Sequence, residues 1–466
     1  MLSLGFWNLI IISIVTLSLR QYLKSDRGKL SLQNSEFLQH SFPQKILKAL
    51  QNPVIKLILQ VCLIVIITRW LIYTGWIAYR LTQPEAAFWD FTQFHVAGNF
   101  AVQRNNIYIQ ERFVYFPNIF PFVYFLGFFT IERASAIWVF IHLIVIIFIL
   151  WGVNILLASN LKLMRIGCTV LSALIYGIVF DLRVGNISSI IVVLLIWAII
   201  FAKEDKNILA GILLALSTIK PTIPFLFFIY FLIKRRWKII FWGGLLSCIF
   251  LTMGLWIIKT PPLEAFHLYR ENYAWFYERS HDPFISHNRI DLSVVIPRLL
   301  PNYRKLASFL SLLLYLFTAT AIGKFLYDKQ VKTYWSRNLY LSELTLIGCS
   351  SILFTYNQRH ATAILVIAVV FLLNYITWEI RYRQFSWKSV TLWSIGMMLL
   401  LLQTSPLYFW LREPLDSPWK LGRVSYITKV TVGNLPNYTL IALTFILLLL
   451  ARNLMLNYSP DIDRLE

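Results

Sequence analysis

Runs of roughly 16 to 25 mostly apolar residues recur from one end of this 466-residue chain to the other, and a bilayer core needs roughly 20 such residues per crossing helix. The polar gaps between runs reach roughly 30 residues, too short to carry a core of their own. Lipid offers the backbone no hydrogen bonds, so a chain with this pattern must satisfy its amides within helices. Charged residues make up 14% of the chain, against about 25% in soluble domains, and 58% is hydrophobic. The expected fold is therefore all-α and polytopic, with about 12 to 13 transmembrane helices. Candidate spans are 2–19, 54–79, 113–130, 134–157, 165–180, 187–202, 207–233, 238–258, 304–327, 341–356, 360–378, 389–405 and 437–456.

The domain reading follows from these spans. Residues 1–53 form an anchor helix with a basic cytoplasmic segment, 54–456 a single transmembrane domain, and 457–466 a cytoplasmic tail. No charge precedes the first apolar run and no small-residue cleavage site follows it, so an anchor is favoured over a signal peptide. The net charge of +21 sits in short Lys/Arg clusters between apolar runs. That is the pattern of loops lying on an anionic membrane, and no nucleic-acid partner is expected. Cys62, Cys168, Cys248 and Cys349 lie in or beside apolar runs, with no zinc spacing and no disulfide framework.

Basic clusters orient the chain. Residues 20–56, Lys234-Arg235-Arg236-Trp237-Lys238, 324–337 and 381–388 are placed on the cytoplasmic side. Loops 80–112, 259–303 and 406–436, with residues 357–360, then share the outer side. An odd number of crossings must separate loop 80–112 from the cluster at 234–238. Pro221 and Pro224 suggest that 207–233 is one broken helix, giving five crossings. This solution leaves Lys203, Glu204, Asp205 and Lys206 outside, against the trend of the other clusters.

Several polar residues stand out against this background. Asp90, in FWDFTQFHVAGN at 88–99, lies among aromatic side chains shortly after a membrane helix. It either caps a short interfacial helix or acts as a base whose pKa is raised by lost hydration. His95 follows five residues later as a candidate substrate contact or a satisfied loop histidine. Tyr115-Phe116-Pro117 marks a helix start. Asn186, after Gly185, is an interhelical turn or a donor to a phosphate or hydroxyl. Lys220, in Lys220-Pro221-Thr222, is costly at membrane depth and is either a phosphate ligand or a snorkelling side chain. His287, Asn288 and Arg289 belong to a solvated outer loop or meet a phosphate or sugar. Arg359 and His360, at a helix start on the outer face, either snorkel or bind a phosphate. His281, Asp282 and His287 match no helical metal motif, and no metal is expected. No glycine-rich phosphate loop, Ser/His/Asp set or internal repeat is visible.

Taken together these segments resemble the GT-C glycosyltransferases that use polyprenol-phosphate sugars, most closely glycosyltransferase family 87. The likeness spans roughly residues 85–375. It rests on Asp90 in its outer loop, Tyr115-Phe116-Pro117, then Gly185-Asn186, Ala210-Gly211 and Lys220-Pro221 in order, HNRIDLSVVIPRLL at 287–300, and the segment 357–360. Asn186 stands where the family usually has Gln, and Phe116 where Pro is common. The resemblance implies a transferase that moves a hexose, mannose foremost, from a polyprenyl-phosphate donor to a lipid or glycan acceptor with inversion. Asp90 would be the general base. Lys220, Arg359 and His360 would bind the donor phosphate, and His95, Asn186, His287, Asn288 and Arg289 the substrates. No cofactor is required by that scheme. The expected setting is a bacterial plasma membrane, with the active site on its outer face and membrane lipids as surroundings. The competing readings are a lipid or polysaccharide transporter, which should show paired broken helices in inverted repeats, and a ligase or polymerase of cell-surface glycans.

Overall fold

The computed structural model describes residues 53–81, 89–110, 113–157, 162–280, 289–300, 302–328, 337–355, 359–382, 387–404 and 426–456. The expected anchor segment before Pro53 and the tail 457–466 lie outside the described residues, as do His287 and Asn288. Among the described residues the regular structure is helical, with one isolated bridge between Ile175 and Thr404. The longer helices are α1 Pro53–Leu81, α2 Trp89–Val102, α3 Ile131–Leu156, α4 Lys162–Leu174, α5 Tyr176–Val184, α6 Ser188–Lys203, α7 Asn207–Ser217 and α8 Phe225–Ile233. They continue as α9 Trp237–Ile257, α10 Pro262–Ser280, α11 Arg304–Asp328, α12 Arg337–Phe354, α13 Val366–Tyr382, α14 Trp387–Leu402 and α15 Tyr426–Leu456. The chain is an all-α polytopic membrane protein. Five described helices are long and apolar enough to cross a bilayer without help from a neighbour: Ile131–Leu156, Trp237–Ile257, Arg304–Leu326, Ala361–Glu379 and Asn437–Leu454.

Burial separates the lipid-facing helices from the central ones. The apolar window of α9 is 17% buried, whereas that of Ala361–Glu379 is 94% buried. Phe241, Leu245, Ile249 and Met253 form an exposed i, i+4 stripe on α9. In water such a stripe would be an aggregation-prone patch; in a bilayer it is the outer skin of the bundle. The helix α13 is enclosed by protein and forms the centre.

Contacts fix the direction of each leg. On α3, His142 lies beside Asn186, and farther along the same helix Phe148 accepts a hydrogen bond from Trp197 of α6 at 3.2 Å. The helices α3 and α6 therefore run the same way, away from Asp90. The pair α4–α5 is the return leg between them. It is broken at Ile175, where the Tyr176 amide donates to the Gln403 carbonyl at 2.9 Å. From the far end, α7 returns alongside α9 and reaches the Asp90 level, where Thr218 donates to Ser247 at 3.4 Å.

The leg that follows differs from expectation. After the turn at 218–224, α8 goes back to the end it came from: Arg236 Nη1 is 2.6 Å from Asp205 Oδ1. The stretch 207–233 is therefore a re-entrant hairpin, not a single broken crossing. Pro221 and Pro224 deny the chain a continuous helix. The two arms have 11 and 9 residues, or roughly 16 and 14 Å, so neither spans a core of about 30 Å. This places residues 203–206 at the same end as the basic cluster 234–238, not opposite it.

The segment 113–130 is likewise not a crossing. Pro117 and Pro121 break it into helical pieces of 3, 4 and 5 residues. It lies back along α2, where Gly98 and Gly127 bring two backbones so close that a Cβ on either would overlap the other's backbone. His95 Nε2 reaches the Phe129 carbonyl at 2.9 Å. Both corrections leave the parity odd, since α3, α4–α5 and α6 make three crossings between residues 131 and 203 and the hairpin α7–α8 returns to its own end.

Farther on, α12 rises from the Asp205 end, where Glu343 meets Lys234 at 2.8 Å, to the Asp90 end, where Thr355 donates to the Thr222 carbonyl at 2.8 Å. The 3-10 segment Arg359–Leu365 then descends against Gly177, and α13 continues to Asn374, which bonds the Leu156 carbonyl at 3.2 Å.

Candidate active site

The Gly185-Asn186 turn organises the site. Gly185 ends α5 in the left-handed conformation, with φ 68°, which glycine adopts without a Cβ penalty. Its amide donates to the Asp181 carbonyl at 2.8 Å, and its carbonyl accepts from Trp138 Nε1 at 2.9 Å. Two serines then begin α6. The first amides of a helix lack intrahelical partners. The Asp181 carboxylate supplies them, accepting from Ser189 N at 2.7 Å and Ser188 N at 3.3 Å. A negative charge there also suits the positive end of the helix dipole. On the other side of Asp181, His142 Nε2 lies 3.6 Å from Oδ2 and 2.7 Å from the Asn186 carbonyl.

This scaffold fixes the Asn186 amide in one orientation. Its Oδ1 accepts from the Ile187 amide at 2.8 Å, the Ser188 amide at 3.2 Å and Ser188 Oγ at 3.1 Å. Backbone amides can only donate, so Oδ1 must face them and Nδ2 must face the other way. Nδ2 donates to Asp90 Oδ2 at 2.8 Å and to the Tyr115 hydroxyl at 3.3 Å. Lys220, carried in at the tip of the re-entrant hairpin, donates to Asn186 Oδ1 at 3.1 Å and to Ser188 Oγ at 2.8 Å. Asp90 and Lys220 thus grip opposite edges of one amide, although 130 residues separate them in sequence.

Asp90 occupies the first turn of α2, outside the spanning helices. Phe91 and Phe94 beside it are fully buried and pack on Trp138. Burial raises the Asp90 carboxyl above the ordinary carboxylate range; the Asn186 hydrogen bond and the Lys220 charge oppose that shift, and the Asp181 charge adds to it. The side chain keeps partial exposure, so the carboxyl is desolvated yet reachable.

Of the sequence-derived candidates, Asp90, Asn186 and Lys220 come together directly. Arg359 is buried at the same end of the bundle, on the segment that follows Thr355. His360 is the second residue of the same 3-10 segment, and its side chain lies outside the described residues. His95 is 94% buried and bonds the Phe129 carbonyl, tying α2 to the segment beside it. Arg289 makes a two-point contact with Asp291, at 2.9 Å from Nε and 2.8 Å from Nη2, over the ring of Tyr277. Sequence reading had not assigned Asp181, His142 or Ser188 to the site. A signal existed for two of them: His142 lies inside an apolar span and Asp181 between two, and ionisable groups at such depth are costly unless they are partnered. Among the described residues no group of three His, Cys, Asp or Glu side chains converges in a metal-like cluster.

The family model for glycosyltransferase family 87 matches residues 113–336, which takes in Tyr115, Asn186, Lys220 and Arg289 and leaves Asp90 and Arg359 outside. No curated protein and no solved structure matches the chain.

Proposed function

We propose that this chain, whose residues 113–336 match the model of glycosyltransferase family 87, is a membrane glycosyltransferase that transfers a hexose from a polyprenyl-phosphate donor to a lipid or glycan acceptor, with inversion at the anomeric carbon. The observation that supports this most is the Asp90–Asn186–Lys220 arrangement. It presents a desolvated carboxylate and a cation at one site, joined through a single amide. Asn186 engages Oδ2 of Asp90, so Oδ1 is the atom for the acceptor hydroxyl. As the hydroxyl proton passes to Oδ1, the acceptor oxygen attacks the anomeric carbon from the face opposite the phosphate. The bond from that carbon to the phosphate oxygen breaks, and its electron pair leaves with the polyprenyl phosphate. Charge grows on the phosphate in the transition state, where a preorganised cation contributes most. Lys220 is that cation, with Arg359 and His360 as its companions on the neighbouring segment. A single displacement gives inversion. Mannose is the foremost hexose on the family likeness, and the outer face of a bacterial plasma membrane the setting.

His95, Asn186 and Arg289 already carry hydrogen bonds that hold the fold. Asn186 belongs to the mechanism as the spacer between base and cation. The decisive experiment incubates the purified full chain in lipid with a panel of polyprenyl-phosphate sugars and scores free polyprenyl phosphate together with the anomeric configuration of the product. One hexose donor should release its lipid and give the inverted glycoside. Turnover of nucleotide sugars alone, or a retained configuration, would remove the proposal.

A further inference from the structure

A second site lies at the opposite end of α2 from Asp90. A cavity of about 570 Å³ opens there between the C-terminal ends of α2 and α9, lined by Arg104, Tyr124, Trp256, Lys259, Thr260 and Pro261 among others. The two helices end alike. After α2, the Arg104 amide bonds the Ala101 carbonyl and the Asn105 amide bonds Phe100; after α9, the Lys259 amide bonds Trp256 and the Thr260 amide bonds Leu255. This is the cap in which a left-handed residue, commonly glycine, stops the helix. Here the left-handed positions are cations, Arg104 with φ 56° and Lys259 with φ 51°. Asn106 Nδ2 donates to Thr260 Oγ1 at 2.8 Å and ties the two caps together.

The groove has the chemistry of a membrane boundary. Lys259 follows the last turn of a crossing helix. Trp256 is 72% exposed, Leu263 86% and Phe266 55%, so an apolar shelf adjoins the two cations. The Arg104 guanidinium lies 6.0 Å from the centre of the Trp256 ring. Among the described residues no carboxylate is within ion-pair distance of Arg104 or Lys259, in contrast to Asp205 at the other end of the bundle, which has the same left-handed conformation and pairs with Arg236. Each helix end contributes about half a negative charge, so two whole positive charges leave the groove net positive. A positive mouth over an apolar shelf complements a phosphate attached to acyl chains.

We propose that this groove holds one anionic glycerophospholipid, with its phosphate between Arg104 and Lys259 and its upper acyl chain against Trp256. The polyprenyl-phosphate donor does not fit this position. Its reacting carbon is bonded directly to a phosphate oxygen, whereas Ala101 in the groove wall lies 11 residues along α2 from Asp90, roughly 16 Å away. The lipid is therefore a resident of the fold and not a reactant, and the inference stands whether or not the proposed transfer is correct.

The test titrates the purified full chain with phosphatidylglycerol or phosphatidylcholine and counts retained lipid by mass spectrometry of the intact protein. One phosphatidylglycerol should stay bound, at least tenfold more tightly than phosphatidylcholine. The double variant Arg104→Gln/Lys259→Gln should lose that preference with an unchanged Tm. The control Arg235→Gln/Lys238→Gln, at the other end of the bundle, should keep it. Equal retention of the two lipids, an unaltered preference in the groove variant, or loss of the lipid in the control would each overturn the proposal. Displacement by inorganic phosphate at the concentration of the lipid would instead assign the site to a free anion and overturn it as well. If the double variant does not fold, Lys259→Gln alone should weaken phosphatidylglycerol retention about threefold, and no change there counts against the site.

Discussion

The two ends of the bundle handle opposite charges differently. At the Asp205 end they touch: Arg236 meets Asp205 at 2.6 Å, and Lys234 meets Glu343 at 2.8 Å while Tyr230 donates to the same carboxylate at 2.9 Å. These contacts join α8 to the start of α7 and to α12, and their work is to hold helices in place. At the Asp90 end the neutral Asn186 amide lies between the Asp90 carboxylate and the Lys220 ammonium. Direct pairing there would lower the basicity of Asp90 and quench Lys220. Charges in contact hold helices at one end, and under the proposed mechanism charges separated by an amide carry the chemistry at the other.

Four substitutions sharpen or break this contrast. Asp90→Asn should reduce transfer by about 10³-fold, in the range for loss of a general base, with donor binding intact; release of polyprenyl phosphate at more than a tenth of the wild-type rate would end the base assignment. Lys220→Met should cost about 10²-fold in kcat/KM, as for loss of one charge-stabilising group, and should weaken donor binding in a direct titration. Unchanged kinetics would place the phosphate elsewhere. Glu343→Gln should act at the other end only. It leaves a largely buried lysine without its counter-charge, at a cost of about 2 kcal/mol, so Tm should fall by several degrees while kcat stays within about threefold. A selective collapse of kcat with an unaltered Tm would show that the two ends are not separable as described.

The subtlest expected effect is on pH dependence. Under the proposed mechanism activity needs Asp90 deprotonated, and burial raises its pKa with help from the Asp181 charge. The acid limb of kcat/KM should therefore lie above the ordinary carboxylate range, with activity lost as pH falls through it. In Asp181→Asn the like charge is gone, so the limb should move to lower pH. Movement to higher pH, or none in a variant that folds, would mean that Asp181 acts only through the α6 amides.

Much of this was legible in the residues. The apolar runs specified a helical membrane protein because lipid leaves the backbone no alternative. Lys220 stood out as a charge at membrane depth, Asp90 as a loop carboxylate among aromatic side chains, and Asn186 as a polar residue in a turn between apolar runs. The two misread stretches, 113–130 and 207–233, share a cause. Both are apolar enough to cross and both contain prolines, and hydropathy does not say whether a chain broken by proline continues or turns back. The Asp205–Arg236 pair and the Gly98–Gly127 contact decide that, and they join positions 31 and 29 residues apart in sequence. Asp181 and His142 were overlooked for a related reason. Their roles depend on facing the amides of α6 and the Asn186 carbonyl, and a linear pattern records depth but not direction.

Composition and periodicity thus dictated solvent, secondary structure and the residue types available for chemistry, because each is a local consequence of what a helix exposes to lipid. Which of those residues meet was left to the fold. The re-entrant hairpin carries Lys220 to Asn186, and the amides at the start of α6 turn that side chain so that its nitrogen faces Asp90. Such convergence depends on packing between segments far apart in the chain, and no short window of sequence contains it.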